Sequence, residues 1–224
     1  DLTYGVAVDG SNNIYITGLT KGALDSNINL GSYDIILAKF NSNGEKQWIK
    51  QFGTNMNDQA HGISVDPNNN IYISGSIGGG FEQTNGDADV YLAKFDSNGN
   101  KLWDYDYGTH SGSSSDESSS DVQTGNNNYI YVTGSTVGFL QGNDSKGGSD
   151  VFLSKFKVGS YTLGETIIIE VKFDQAVIVN GVPRLLLNNG SYATYFSGSG
   201  TDTLIFEYVV QDGDNSLSLD YQNN

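Results

Sequence analysis

The sequence predicts an all-β protein: a run of repeated four-stranded units, then a second β module of different pattern. Three observations carry this reading. The string Ile14-Tyr15-Ile16-Thr17-Gly18 returns as Ile71-Tyr72-Ile73-Ser74-Gly75 and as Ile130-Tyr131-Val132-Thr133-Gly134, at spacings of 71 − 14 = 57 and 130 − 71 = 59. A second string, Asp34-Ile35-Ile36-Leu37-Ala38-Lys39-Phe40, returns as Asp89–Phe95 and Asp150–Phe156. Beyond Phe156 both strings stop, and runs alternating every second residue take over. Self-similarity at a period of several tens of residues is the mark of a repeat architecture.

Within each unit the elements follow in order. Strand one is Gly5 to Val8, closing on Val8-Asp9, with Val65-Asp66 as its second copy. The turn after it, Asp9-Gly10-Ser11-Asn12-Asn13 or Asp66-Pro67-Asn68-Asn69-Asn70, is made of residues that tolerate left-handed backbone. Strand two is the Ile-Tyr-Ile-Thr-Gly string. Strand three is the Asp-to-Phe string, and Asn43-Gly44 or Asn98-Gly99 turns it into a fourth strand carrying Trp48 or Trp103. Phe52-Gly53-Thr54 and Tyr107-Gly108-Thr109 close the first two units. In the second copy Val90, Leu92 and Lys94 face one way and Tyr91, Ala93 and Phe95 the other, so strand three is covered on both faces.

A four-stranded antiparallel unit covered on both faces is a blade between blades, which predicts a β-propeller. The expected blades are about 1–57, 58–116 and 117–157. The third is incomplete, because Gly164 stands eight residues after Phe156, where the other units have Trp. The segment Ser111 to Asp121 reads as an insert, and Ser113–Ser120 as a mobile loop of linker composition. The loops between strands two and three, Leu19–Tyr33, Ile77–Ala88 and Ser135–Ser149, are rich in Gly and polar residues and expected to be exposed, where binding is commonly carried. Together these strings resemble the bacterial seven-bladed beta-propeller repeat family over residues 1–156. That resemblance implies surface or secreted bacterial proteins, often cyanobacterial, and brings no catalytic residues.

Residues 158–224 read as a separate module. Thr166–Phe173 alternates, with Ile167, Ile169, Val171 and Phe173 inward. Asn180-Gly181 and Asn189-Gly190 read as hairpin turns around Pro183–Leu187. Further strands are expected at Tyr192–Phe196, at Thr203–Val210 with Leu204, Phe206, Tyr208 and Val210 on one face, and around Leu217, Leu219 and Tyr221. Six short strands predict an antiparallel β-sandwich. The wording of this region is similar to Ig-like repeat modules of bacterial surface and adhesin proteins. The start at Asp1 without Met and the stop at Asn224, part-way through a module, predict a piece of a longer protein.

Composition narrows the function. With 26 acidic and 11 basic residues the formal charge is −15, which opposes binding to a phosphate backbone. No stretch approaches the roughly 18 apolar residues of a spanning helix. The absence of cysteine excludes disulfides, thiolate catalysis and Cys-based zinc sites.

Four sets of residues are candidate sites. Asp66–Asn70, Asp96–Asn100 and Asp212-Gly213-Asp214-Asn215 offer alternating oxygens, as calcium loops do, but lack the remaining ligands of such a loop. Asn41 replaces Asp96 in the first copy, so turn chemistry accounts for them. His61 matches Tyr4 and is expected to fill a blade position, while His110 beside the serine run is expected in solvent. Asp104 and Asp106 share a face of the Trp strand, where unit one has Ile49 and Gln51. Paired carboxylates can cleave glycosides, but the simpler expectation is an exposed strand. Trp48 and Trp103 could stack on sugars, yet their periodic placement predicts packing.

The expected function is therefore a non-catalytic binding or scaffold fragment of a modular bacterial surface or secreted protein, extracellular, with no catalytic residues, no metal and no cofactor. Its expected partners are a protein or carbohydrate ligand at the exposed loops, and further blades of the parent chain or a second copy. A carbohydrate-active or other hydrolytic propeller with an accessory Ig-like domain is the first alternative. A calcium-dependent surface assembly protein is the second.

Overall fold

The computed structural model describes residues 1–79, 88–108, 117–125, 129–137, 148–158, 163–187, 190–212 and 214. Its described elements are all strands: β1 Leu2–Val8, β2 Ile14–Thr20, β3 Asp34–Phe40, β4 Lys46–Phe52, β5 Asp58–Val65, β6 Ile71–Gly78, β7 Ala88–Phe95, β8 Lys101–Tyr107, β9 Ser118–Thr124, β10 Tyr129–Thr136, β11 Asp150–Lys157, β12 Thr166–Val177, β13 Arg184–Leu186, β14 Tyr192–Ser197 and β15 Thr201–Val209. The chain divides into two compact units, Asp1–Val158 and Gly159–Asn224.

The first unit holds three antiparallel sheets of consecutive strands, β1-β2-β3-β4, β5-β6-β7-β8 and β11-β10-β9. The third has three strands among the described residues, as the missing Trp predicts. One expectation fails here. Ser118, Ser119, Ser120 and Asp121 do not belong to a loop; they lie in β9, the first strand of the third repeat. Counting 59 from Asp58 lands on Glu117, immediately before it. Backbone pairing to β10 makes the strand, so small polar side chains suffice and only Val122 is a large apolar anchor.

Four hairpins share one turn. Asp9, Asn41, Asp66 and Asp96 each begin it: their carbonyls accept from the N–H three residues on, and their N–H groups donate to the carbonyl four residues on. The fourth residue has left-handed backbone, filled by Asn12 (φ 61°), Gly44 (φ 79°), Asn69 (φ 62°) and Gly99 (φ 77°). This is the three-residue hairpin loop with a bulge, and it explains Asn or Gly at that place.

Each first strand also bulges, at Tyr4, at His61 and between Ser119 and Asp121. The bulge presses a backbone carbonyl onto the glycine that ends the strand-two string. A Cβ at Gly18, Gly75 or Gly134 would overlap the carbonyl oxygen of Leu2, Gln59 or Ser118. That close approach is the physical reason the string ends in Gly.

The core of the first unit lies between sheets. Ile35 and Leu37 of β3 join Ile63, Ile71, Ile73, Tyr91, Ala93 and Phe95 of the second sheet. Val90 and Leu92 of β7 join Val122, Ile130 and Val132 of the third. Strand β7 is thus covered on both faces, with the side assignment expected from its alternation. Full burial of each such Leu or Ile contributes about 1.5–3 kcal/mol.

The second unit forms one antiparallel sheet among the described residues, ordered β12-β15-β14-β13. Leu204, Phe206 and Tyr208 are buried in its cluster, with Ile167, Ile169 and Val171 packed on them. Phe173, expected inward, is 38% exposed, because the register of β12 against β15 shifts after Lys172 and its alternation is no longer pinned by a partner. Asn180-Gly181 does not make a hairpin between neighbours: β12 and β13 are opposite edges of the sheet, so the segment begins a crossing from one edge to the other. The expected last strand around Leu217, Leu219 and Tyr221 lies outside the described residues.

Candidate functional site

The densest polar construction joins one sheet to the next. Strand β4 ends in Phe52-Gly53-Thr54, and the chain then starts the next first strand at Asp58. The Thr54 N–H and hydroxyl and the Gly78 N–H (3.0 Å) all donate to the fully buried Asp58 carboxylate. A Cβ at Gly53 would run into that carboxylate, which explains the Gly of this string. Asp34, also fully buried, heads β3 and accepts from Leu30 N–H (2.9 Å), Gly31 N–H (3.0 Å) and Gln51 Nε2 (2.8 Å). Burial pushes the Asp58 carboxyl above its usual range and the Asp34 charge adds to this, against the bonds from Thr54 and Gly78.

The second junction repeats the plan. Glu117, fully buried, stands where Asp58 stood and accepts from the Thr136 hydroxyl (3.0 Å). A Cβ at Gly108 would meet the carboxylates of both Asp89 and Glu117. Sequence reasoning missed these acids as a set. Their signal was present, since Asp34, Asp89 and Asp150 head the three copies of strand three, and Asp1, Asp58 and Glu117 precede or head strand one at spacings of 58 − 1 = 57 and 117 − 58 = 59.

Asp104 is not a freely solvated side chain: it accepts from the Tyr91 hydroxyl (3.2 Å) and pairs with Lys101. Tyr91 and Asp104 thus bridge neighbouring strands, with Asp106 opposite Tyr91 in the ladder. Burial, and then Asp104, raise the Tyr91 phenol, keeping it a proton donor. The His61 ring packs on Tyr4 at 5.0 Å, and its Nδ1 lies 2.9 Å from the Ser119 carbonyl, so it joins three first strands. His110 lies outside the described residues. Trp48 packs on Tyr15 and Trp103 on Tyr72, each at 6.2 Å, inside the two clusters.

The turn acids are occupied by their own turns. Asp9 accepts from Ser11 N–H, Asn13 N–H, Asn13 Nδ2 and the Tyr15 hydroxyl. Asp66 repeats this with Asn68, Asn70 and Tyr72, and Asp96 with Asn98 and Asn100. Burial works against ionisation of Asp9, but these bonds outweigh it and hold the carboxyl below its usual range. Asp96 is held low in the same way. Asp214 accepts from the Tyr208 hydroxyl and Gln211 N–H, which lower it; Gly213 and Asn215 lie outside the described residues. No three His, Asp or Glu gather at metal-binding distance among the described residues.

Of the three expected binding loops, residues 21–33 are described in full. Ile28 (74%) and Leu30 (53%) are exposed on it. Its backbone is braced from β4, where Gln51 accepts from Leu24 N–H and donates to the Gly22 carbonyl. The loop is therefore a shaped, partly apolar surface held by a strand.

The fold and its polar joints carry a recognisable repeat. Residues 2–24 and 47–82 match the beta-propeller repeat family. These stretches hold strand one and its turn, strand two, strand four, the Phe-Gly-Thr joint and the second copy of strands one and two. The four-stranded antiparallel sheets are consistent with the blades of such repeats, and the Asp58 clasp lies where one sheet passes into the next. No curated protein matches the chain. No described helix is long and apolar enough to cross a membrane.

Proposed function

We propose that the chain is a non-catalytic binding or scaffold segment of a modular bacterial surface or secreted protein. Its blades present loops such as 21–33 to a protein or carbohydrate ligand, and its second unit, read as an Ig-like module, serves as spacer or adhesive element. The observation that carries this reading is how the polar groups are spent. The repeated acids clasp turns and blade joints, and Asp104 is tied to Tyr91 and Lys101. A catalytic carboxylate pair needs one acid free beside another of shifted pKa. The Asx bonds made by Asp9, Asp66 and Asp96 support a reading in which their turns are complete without calcium.

The test is a screen of glycosidase and esterase substrates with the intact chain and with Asp104→Ala, alongside melting in calcium and in chelator. No turnover and a shift under about 1 °C are expected. Turnover lost in Asp104→Ala, or a melting shift of many degrees, would overturn the reading.

A further inference from the structure

The sheet of the second unit carries a cleft on its outer face. Alternation sends Phe206 and Tyr208 of β15 and Ala193 of β14 into the core, so Glu207, Val209, Tyr192 and Thr194 point away from it. Antiparallel pairing sets Arg184, Thr194 and Glu207 in one row across β13, β14 and β15. The cleft has a volume of about 430 Å³, and its lining includes Ser191, Tyr192, Thr194, Glu207, Val209 and Gln211. Small-molecule sites occupy roughly 300–1,000 Å³. Tyr192 (48% exposed) and Val209 (45%) supply its apolar surface. Two charges decide what fits. Glu207 is partly buried and has no hydrogen bond or ion pair among the described residues. It repels an anion and accepts from a neutral donor. The Arg184 guanidinium lies over the Tyr192 ring at 4.6 Å. It fills the place a cationic ligand would take on that ring, and repels one. Gln211 Nε2 is spent on the Val209 carbonyl (2.7 Å), which leaves its Oε1 to accept. The ligand that suits this set is uncharged, rich in O–H donors and apolar on one face.

We propose that this cleft binds one residue of a neutral carbohydrate. Sugar hydroxyls donate to Glu207 and Gln211, the Thr194 hydroxyl adds a donor or acceptor, and the C–H face of the ring lies against Tyr192. The proposal specifies the adhesive role given above to the second unit and so rests on that reading, but it takes nothing from loop 21–33. Both charges act as filters: Glu207 against acidic sugars, Arg184 against amino sugars.

Saturation-transfer NMR on the full chain tests it. The probes are the methyl glycosides of glucose, galactose, mannose and N-acetylglucosamine, with glucuronate and glucosamine as charged controls. At least one neutral glycoside is expected to bind, and both charged sugars more weakly. Glu207→Gln should weaken that glycoside about tenfold, the worth of a hydrogen bond to a charged group, with circular dichroism and melting unchanged. Tyr192→Ala should weaken it as well. No transfer to any neutral glycoside overturns the proposal. So does binding that Glu207→Gln leaves intact, or a charged sugar held more tightly than the neutral ones. A signal kept in Glu207→Gln but lost in Ile28→Ser overturns this site while leaving the loop reading above in place.

Discussion

Asp9, Asp66 and Asp96 each face an Asn four residues on, whose side-chain amide donates to the carboxylate. Asn41 faces Glu45 instead, and there the amide and the acid have exchanged places at 2.6 Å. The turn therefore requires one donor and one acceptor across these positions and is indifferent to their order. Asn41→Asp should destabilise by a few tenths of a kcal/mol to about 1 kcal/mol, because two carboxylates then meet. Adding Glu45→Asn should restore the loss. A double-mutant cycle from denaturant melts measures the coupling, and simple additivity of the two changes would sink the idea.

At the scale of the element, the bulge in strand one and the glycine of strand two are one device. Gly75→Ala should cost about 3 kcal/mol, since the Gln59 carbonyl belongs to a paired strand and cannot yield. Gly10→Ala, with nothing near its added methyl, should stay within about 0.5 kcal/mol. Equal effects in chemical denaturation would show that the bulge relaxes. The blade joint has its own pH signature. Asp58 is raised above its unfolded value of 3.8, so the folded state holds its proton to higher pH and stability falls as pH rises through the window above 3.8. Asp9 and Asp96 are held low, so their contribution is lost as pH falls through the range below that value. Between about pH 4 and 7 the melting temperature of Asp58→Asn should therefore gain on that of the parent chain. Curves that stay parallel would remove Asp58 from the joint's titration.

For the whole molecule the dominant electrostatic fact is a net charge of −15. The ion pairs Lys46–Asp25 and Lys101–Asp104 offset a small part of it, and both lysines are substantially exposed. Self-repulsion then opposes the compact state, and salt screens it over a Debye length of about 10 Å at 0.1 M. Raising salt from about 0.02 M to about 0.5 M should raise the melting temperature by several degrees. A flat response in calorimetry would mean that the acids are already balanced locally by their hydrogen bonds.

The sequence by itself determined the repeat, the strand order within each four-stranded sheet, the two-sided burial of β7 and the place where the repeated strings stop. These are local or periodic properties: an alternating strand states which side each residue takes, and three copies of one string state that the environment recurs. The serine run of β9 escaped composition because its strand is made by pairing partners, which lie elsewhere in the chain. The same holds for the order β12-β15-β14-β13, where long-range pairing outranked an Asn-Gly signal that reads locally as a hairpin. The acids of the blade joints were visible as repeated letters, but their meaning was not. Whether an aspartate is solvated or clasped depends on which backbone N–H groups reach it, and only the tertiary structure brings Thr54 of the connection, Gly78 of β6 and the Asp34 charge around Asp58.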